Sequence, residues 1–178
     1  YTTSPVAISE LWNGSSWTEV GDLNTARSEG GSSGTSTASL MSGGTAPPLS
    51  AKVEQWNGSS WTEISDLSAG KSGVTGAGTV TEALVYGANA SPIVAQTEHY
   101  NGSSWTEVAD LATARYVGSP AGTASLALMA GGDTSTTVGV TLTEEFSVAP
   151  PTAAVLTEGS VFLSGGTTLK GFGKAAGI

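Results

Sequence analysis

Short apolar stretches separated by glycine-rich turns run along the whole chain, and helical periodicity is missing. Gly171 to Ile178 is the one stretch that admits even a frayed helix. Three stretches match one another: Ala38-Ser39-Leu40-Met41-Ser42, Glu82-Ala83-Leu84-Val85-Tyr86 and Leu126-Ala127-Leu128-Met129-Ala130. Each is short, apolar and closed by a small-residue pair, as a buried strand should be. A further strand is predicted into Tyr100, with Val94, Gln96, Glu98 and Tyr100 on one face and Ala95, Thr97 and His99 on the other. The next strand starts at Trp105, across Asn101-Gly102-Ser103-Ser104. Asn-Gly between strands is a strong hairpin signal, because both residues tolerate φ > 0; the type of hairpin is left open.

The pattern repeats. Glu10-Leu11-Trp12-Asn13-Gly14-Ser15-Ser16-Trp17-Thr18-Glu19-Val20 returns from Glu54 to Ile64 and again from Glu98 to Val108, a step of 44 residues each time. Asp22, Asp66 and Asp110 keep that step, as do Arg27, Lys71 and Arg115. So do Gly43-Gly44, Gly87-Ala88 and Gly131-Gly132. A fourth partial copy, Thr143-Glu144-Glu145-Phe146, aligns with Thr97-Glu98-His99-Tyr100 after 46 residues. It breaks off where Ala149-Pro150-Pro151 stands in place of Asn-Gly-Ser-Ser. A four-stranded unit of about 44 residues, repeated, is the signature of a β-propeller.

These residues resemble the kelch-type propellers. The family's Gly-Gly pair, following aromatic, Trp and basic residue are matched by Gly43-Gly44, Trp56, Trp61 and Lys71 in one unit. Gly87-Ala88, Tyr100, Trp105 and Arg115 match them in the next. The likeness covers roughly residues 6 to 148. It departs from the family at Ala88 and in an aromatic-to-Trp gap one residue shorter. The fold class it implies is all-β: kelch-like propeller blades of 44 residues and four strands each.

Residues 1–148 are expected to hold strands three and four of one blade, two whole blades, and strands one to three of another, 13 strands in all. That is too few for an ordinary ring of at least four blades. The expectation is therefore a longer chain with further blades upstream, or several copies completing one ring; the abrupt ends favour the former. Residues 149–178 read as a Pro-containing linker followed by a β-hairpin with a Gly165-Gly166 turn. Its Glu158-Gly159 and Thr168-Leu169-Lys170 resemble hairpins of phage fibre and virion proteins. The Asn-Gly-Ser-Ser-Trp-Thr-Glu units likewise resemble repeats in large structural proteins of marine and cyanobacterial phages.

Composition narrows the partners. The net charge is −9 with only six Lys plus Arg, so no cationic surface for nucleic acid or anionic membrane is expected. Cys is absent, which removes disulfides and thiolate chemistry. His99 is the only histidine and reads as a solvated strand residue. Kelch-type oxidases need Cys and several His for copper, and sialate-processing propellers need an Arg cluster; two Arg cannot make one. No catalytic, metal or cofactor residue is expected.

The acidic rings Glu10/Glu54/Glu98/Glu144 and Asp22/Asp66/Asp110 are read as loop hydrogen bonding and cross-blade pairing with Arg27, Lys71 and Arg115, against a cation site. Trp12, Trp17, Trp56, Trp61 and Trp105 are read as blade-to-blade packing, against sugar stacking, with an end copy as the exception because it lacks a neighbour. Asn13, Asn57 and Asn101 are read as turn residues, against glycosylation acceptors. The loops starting at Thr45, Asn89 and Asp133 differ among otherwise close copies and are the expected recognition surface. The resemblance implies a non-enzymatic virion component, displaying these loops to a host receptor or glycan beside other virion proteins. A bacterial lectin-like adhesin at the cell surface and a fragment of a propeller enzyme are the alternatives.

Overall fold

A computed structural model describes residues 4–135, 138–148, 161–164 and 168–171. The described residues form seventeen strands and no helix: β1 (Glu10–Trp12), β2 (Trp17–Glu19), β3 (Gly31–Thr35), β4 (Ala38–Ser42), β5 (Val53–Trp56), β6 (Trp61–Glu63), β7 (Thr75–Gly78), β8 (Ala83–Asn89), β9 (Ile93–Tyr100), β10 (Trp105–Glu107), β11 (Ser119–Gly122), β12 (Leu126–Ala130), β13 (Asp133–Ser135), β14 (Val138–Gly139), β15 (Thr143–Ser147), β16 (Val161–Ser164) and β17 (Thr168–Gly171). The chain divides into two units, Tyr1–Ser147 and Val148–Ile178.

The first unit is a series of antiparallel meanders in sequence order. They are β1-β2, then β3-β4-β5-β6, then β7-β8-β9-β10, then β11-β12-β15. Register repeats with the sequence: Trp12 faces Trp17, Trp56 faces Trp61 and Tyr100 faces Trp105 across successive hairpins. The expected loop after Asp133 is instead partly paired, β13 with β14, as a separate two-stranded sheet. In the second unit β16 pairs with β17, Val161 opposite Gly171. The expected linker at 149–152, the Gly165-Gly166 turn and residues 172–178 lie outside the described residues.

The core lies between sheets. Leu40, Val53, Leu67, Val74, Ala83, Val85, Ala88 and Tyr100 fill one interval, between the second and third sheets. Ala77, Leu84, Tyr86, Ala124, Ala127 and Met129 fill the next. The third sheet is therefore covered on both faces, which is why Ala83 through Ala88 are all buried without alternation. The same cover explains Thr97 and Glu98, neighbours on opposite faces of β9 and both buried.

Hairpins form across Asn13, Asn57 and Asn101 as expected, and the structure gives their type. Only the glycines take positive φ, at 99°, 96° and 93° for Gly14, Gly58 and Gly102, and the asparagines do not. Each loop has four residues, and the Asn side chain organises it. Asn13 Oδ1 accepts the N–H groups of Ser15 and Ser16 at 2.9 and 3.0 Å, and Asn57 and Asn101 repeat this. The turn is an Asx turn, in which the side-chain oxygen satisfies two backbone donors at once.

Ala88 also changes its unit. The equivalent Gly44 and Gly132 have φ of 108° and 102°. A Cβ at Gly44 would lie 2.6 Å from the Ser28 carbonyl oxygen. With alanine there, the chain takes an extended path with a bulge between Tyr86 and Ala88, and β8 and β9 pair as far as Asn89 and Ile93.

Candidate recognition surface

A connector joins each sheet to the next and carries the basic landmark residue. Arg27 lies in the connector before β3, and its guanidinium Nη2 is 2.9 Å from Glu54 Oε1 on β5, with both side chains 0% exposed. Arg27 also donates to the carbonyl oxygens of Lys52 and Met41. Glu54 further accepts Asn24 N–H and Nδ2 at 2.7 and 2.8 Å, and Thr25 N–H at 3.3 Å. Lys71 repeats the arrangement with Glu98, which also accepts from Ser68 N–H and Oγ. Arg115 repeats it with Glu144, which accepts Ala112 N–H. Burial lowers the Arg27 pKa, partly countered by Glu54. Burial also opposes ionisation of Glu144, but Arg115 and the Ala112 and Thr113 backbone together hold its carboxyl below the usual value.

Of the acidic rings, Glu54, Glu98 and Glu144 thus pair with the basic ring, the first two fully in the interior, while Glu10 is exposed and Asp110 accepts the Thr97 N–H instead. The pairing fastens connector to sheet. His99 is half-buried with Nε2 3.5 Å from Glu82 Oε1, so it is less solvated than expected. Among the described residues no three His, Asp or Glu side chains converge as a metal site.

A second repeating device escaped the sequence reading. Gly73 N–H donates to the Glu29 carbonyl at 2.7 Å, and Val117 N–H donates to the Gly73 carbonyl at 2.8 Å. All three residues have left-handed φ, 57°, 61° and 50°. Their 44-residue spacing was the available signal; only Gly73 shows it by residue type.

The variable loops start beside this backbone ladder. Thr45, Asn89 and Asp133 form isolated antiparallel bridges with Ser28, Ser72 and Tyr116 of the preceding connectors. All three therefore occupy the same edge of successive sheets. They are half-buried, and Thr45 Oγ1 donates to Glu29 Oε2. The exposed parts are further on, at Pro47-Pro48 and Ser91-Pro92. The expected recognition residues are anchors, and the loop tips beyond them meet solvent. The Gly pairs do the positioning at this edge: Gly44 N–H donates to the Lys71 carbonyl, and a Cβ at Gly43 would be 2.7 Å from that same oxygen. Gly131 and Gly132 take the matching φ of 66° and 102°.

The aromatic landmarks divide into two groups. Trp56 and Tyr100 are buried. Trp105 is half-buried and its Nε1 donates at 3.1 Å to the Ser65 carbonyl, in the connector that follows the preceding sheet. Trp61 Nε1 donates to Ser9 Oγ at 3.0 Å. These four pack sheet against sheet or sheet against turn. Trp12 and Trp17 are 48% and 63% exposed. Their ring centroids are nevertheless 5.6 Å apart at 46°, nearly the 5.5 Å and 42° of Trp56 and Trp61. A cleft of about 370 Å³ lies beside them, lined by Ser9, Glu10, Ser36, Ser39, Trp56 and Trp61 among others.

No protein-family model matches the chain. No curated protein matches it at a significant level. The chain is similar to a β-propeller-like solved structure titled "Structure of YjhT", with a TM-score of 0.63 at 14% sequence identity. The likeness covers 74% of this chain and 45% of that one, so this chain spans less than half the length of the structure it matches. At this identity the likeness is one of fold: an all-β arrangement of repeated antiparallel sheets.

Proposed function

We propose that the 44-residue units are kelch-like blades of a larger β-propeller, and that the protein is a non-enzymatic structural and attachment component of a phage virion. In this reading it belongs to a fibre, a tail-associated part or the capsid surface. Its connectors and buried ion pairs hold the blades, and its rim loops meet a host receptor or glycan. The observation that carries the reading is the contrast at one edge of the sheets. Arg27, Lys71 and Arg115 keep their positions and partners, while the loops beginning at Thr45, Asn89 and Asp133 share almost no sequence. A constant frame with variable exposed loops suits recognition by display. The meanders and the likeness to a β-propeller-like structure support the blade assignment.

The test is an antibody to the Asn101–Glu107 segment, used on gradient-purified particles and on the uninfected cells of the source culture. Signal travelling with virus-sized particles, and blocked attachment after loop deletion, is the expected result. Signal on cells alone would replace the virion reading with the adhesin one.

A further inference from the structure

The fold asks each hairpin for a chemically labile pair. The turn needs an asparagine, whose Oδ1 accepts the backbone donors, followed by a residue at positive φ, which is glycine in all three copies. Asn-Gly is also the dipeptide that closes most readily to a succinimide, because glycine has no side chain to shield its nitrogen. In that reaction the Gly58 nitrogen gives its proton to hydroxide and bonds to Asn57 Cγ. The Nδ2 group takes a proton from water and leaves as ammonia. Water then opens the ring at either carbonyl, leaving aspartate or isoaspartate, so the net change is asparagine plus water to aspartate plus ammonia. Isoaspartate routes the backbone through Cβ and adds an atom to the loop that sets Trp56 opposite Trp61.

All four turn residues are exposed in every copy, so water and hydroxide reach them. The sheet that carries Asn57 has a neighbour on each face, and the exposure therefore belongs to the turn itself. Packing does not explain why two serines follow Asn-Gly each time. The backbone turn needs only their N–H groups, which any residue except proline supplies.

The hydroxyls do something further. Ser59 Oγ donates to Asn57 Oδ1 at 2.9 Å, beside the Ser59 and Ser60 N–H groups at 2.9 and 3.0 Å. At the other end of the amide, Asn57 Nδ2 donates to Ser60 Oγ at 3.4 Å. Ser15 and Ser16 hold the Asn13 amide in the same way, at 3.0 and 3.1 Å. Ser103 Oγ holds Asn101 Oδ1 at 3.0 Å. The amide is thus tied to residues beyond the glycine.

We propose that these serine hydroxyls guard the turns against their own deamidation at Asn13, Asn57 and Asn101. Attack needs the glycine nitrogen in line with Cγ at near-contact distance. Reaching that geometry turns the amide, which breaks its bonds to the two serines. The three Asn-Gly pairs are modification sites that the folded turn keeps closed, and local opening of a hairpin unlocks them. An oxyanion hole would use the same donors on Oδ1 to the opposite effect, and the experiment distinguishes the two. The inference stands on the turns alone and is independent of the role proposed above.

The experiment follows isoaspartate at each site of the full chain, by enzymatic methylation and by peptide mass, during incubation in mildly alkaline buffer. The free peptide spanning Trp56–Trp61 is the reference. Asn57 in the chain should convert about a hundredfold or more slowly than in the peptide, the factor supplied by three or more hydrogen bonds that must break first. Ser59→Ala with Ser60→Ala should speed conversion at Asn57 about tenfold, the lower end of what two such bonds supply. Asn13 and Asn101 in the same molecule should keep their rates, and the peptide with both alanines corrects for sequence alone. Conversion of Asn57 in the chain at the peptide's rate, or faster, overturns the proposal. So does an unchanged Asn57 rate in the variant. All three sites speeding up together also overturns it, because protection then comes from the whole fold rather than from the hydroxyls.

Discussion

Replacing Glu54 by glutamine tests the buried ion pair with almost no change of shape. Glu54 Oε2 accepts two donors from Asn24, and Oε1 accepts Thr25 N–H and the Arg27 guanidinium. Glutamine keeps one acceptor and turns the other oxygen into a donor. Whichever way the amide faces, two former donors point at an N–H₂ group, each costing about 1–3 kcal/mol when buried. Arg27 keeps its charge, since guanidinium does not deprotonate in proteins, and it is fully buried. Breaking such a pair from one side costs about 3–5 kcal/mol in total, with the donor conflicts included in that figure.

A unit of this size is stable by roughly 5–15 kcal/mol, so the melting midpoint should fall by about 10 °C. The assay is equilibrium urea unfolding followed by tryptophan fluorescence, with the slope compared between variants. Glu63→Gln, which breaks the exposed Lys52–Glu63 pair, serves as control and should leave the curve unmoved. Arg27→Met with Glu54→Leu should recover part of the loss, because no charge is then stranded, but not all, because Asn24 and Thr25 still lack an acceptor. A Glu54→Gln cost under about 0.5 kcal/mol, the range of ordinary surface changes, would refute the assignment of connector fastening to this pair.

Three further outcomes follow from the same geometry. Glu144, held below the usual carboxylate value of 4.5, contributes stability that is full above that value and lost as pH falls through its lower folded pKa; Glu144→Gln should flatten the acid limb of a stability–pH curve. Burial pushes the Tyr86 hydroxyl up to about 12, so its stabilisation is complete below its usual 10.0 and lost as pH rises toward 12; ultraviolet titration should show one tyrosine ionising late, and Tyr86→Phe should remove that step. Trp105→Ala should destabilise by about 3 kcal/mol and Trp17→Ala by no more than about 0.5 kcal/mol, read by urea unfolding, because the first packs between sheets and the second is exposed.

The strand order was legible because a fixed 44-residue step carries its own alignment. Trp-Thr-Glu, Arg/Lys and the Gly pair mark the same turns and connectors each time. The turn chemistry was only half legible. Asn-Gly announced a hairpin, but whether the Asn backbone or its side chain makes the turn depends on Ser15 and Ser16 offering their N–H groups. The two faces of β9 alternate as the sequence shows, but burial does not, Thr97 and Glu98 both being buried, because sheets cover both faces, a tertiary effect that no local period encodes. The depth of the Arg27–Glu54 pair was hidden for a related reason: a charged residue shows its position in sequence but not its burial.

The most direct measurement is an electron cryomicroscopy reconstruction of the intact polypeptide in its native particle or assembly. The account predicts these sheets as successive blades around one axis, Arg27, Lys71 and Arg115 each fastened to the next sheet's glutamate, and the Pro48 and Pro92 loops on one exposed rim of a virion. Sheets stacked without a common axis, or a protein absent from any particle, would contradict it.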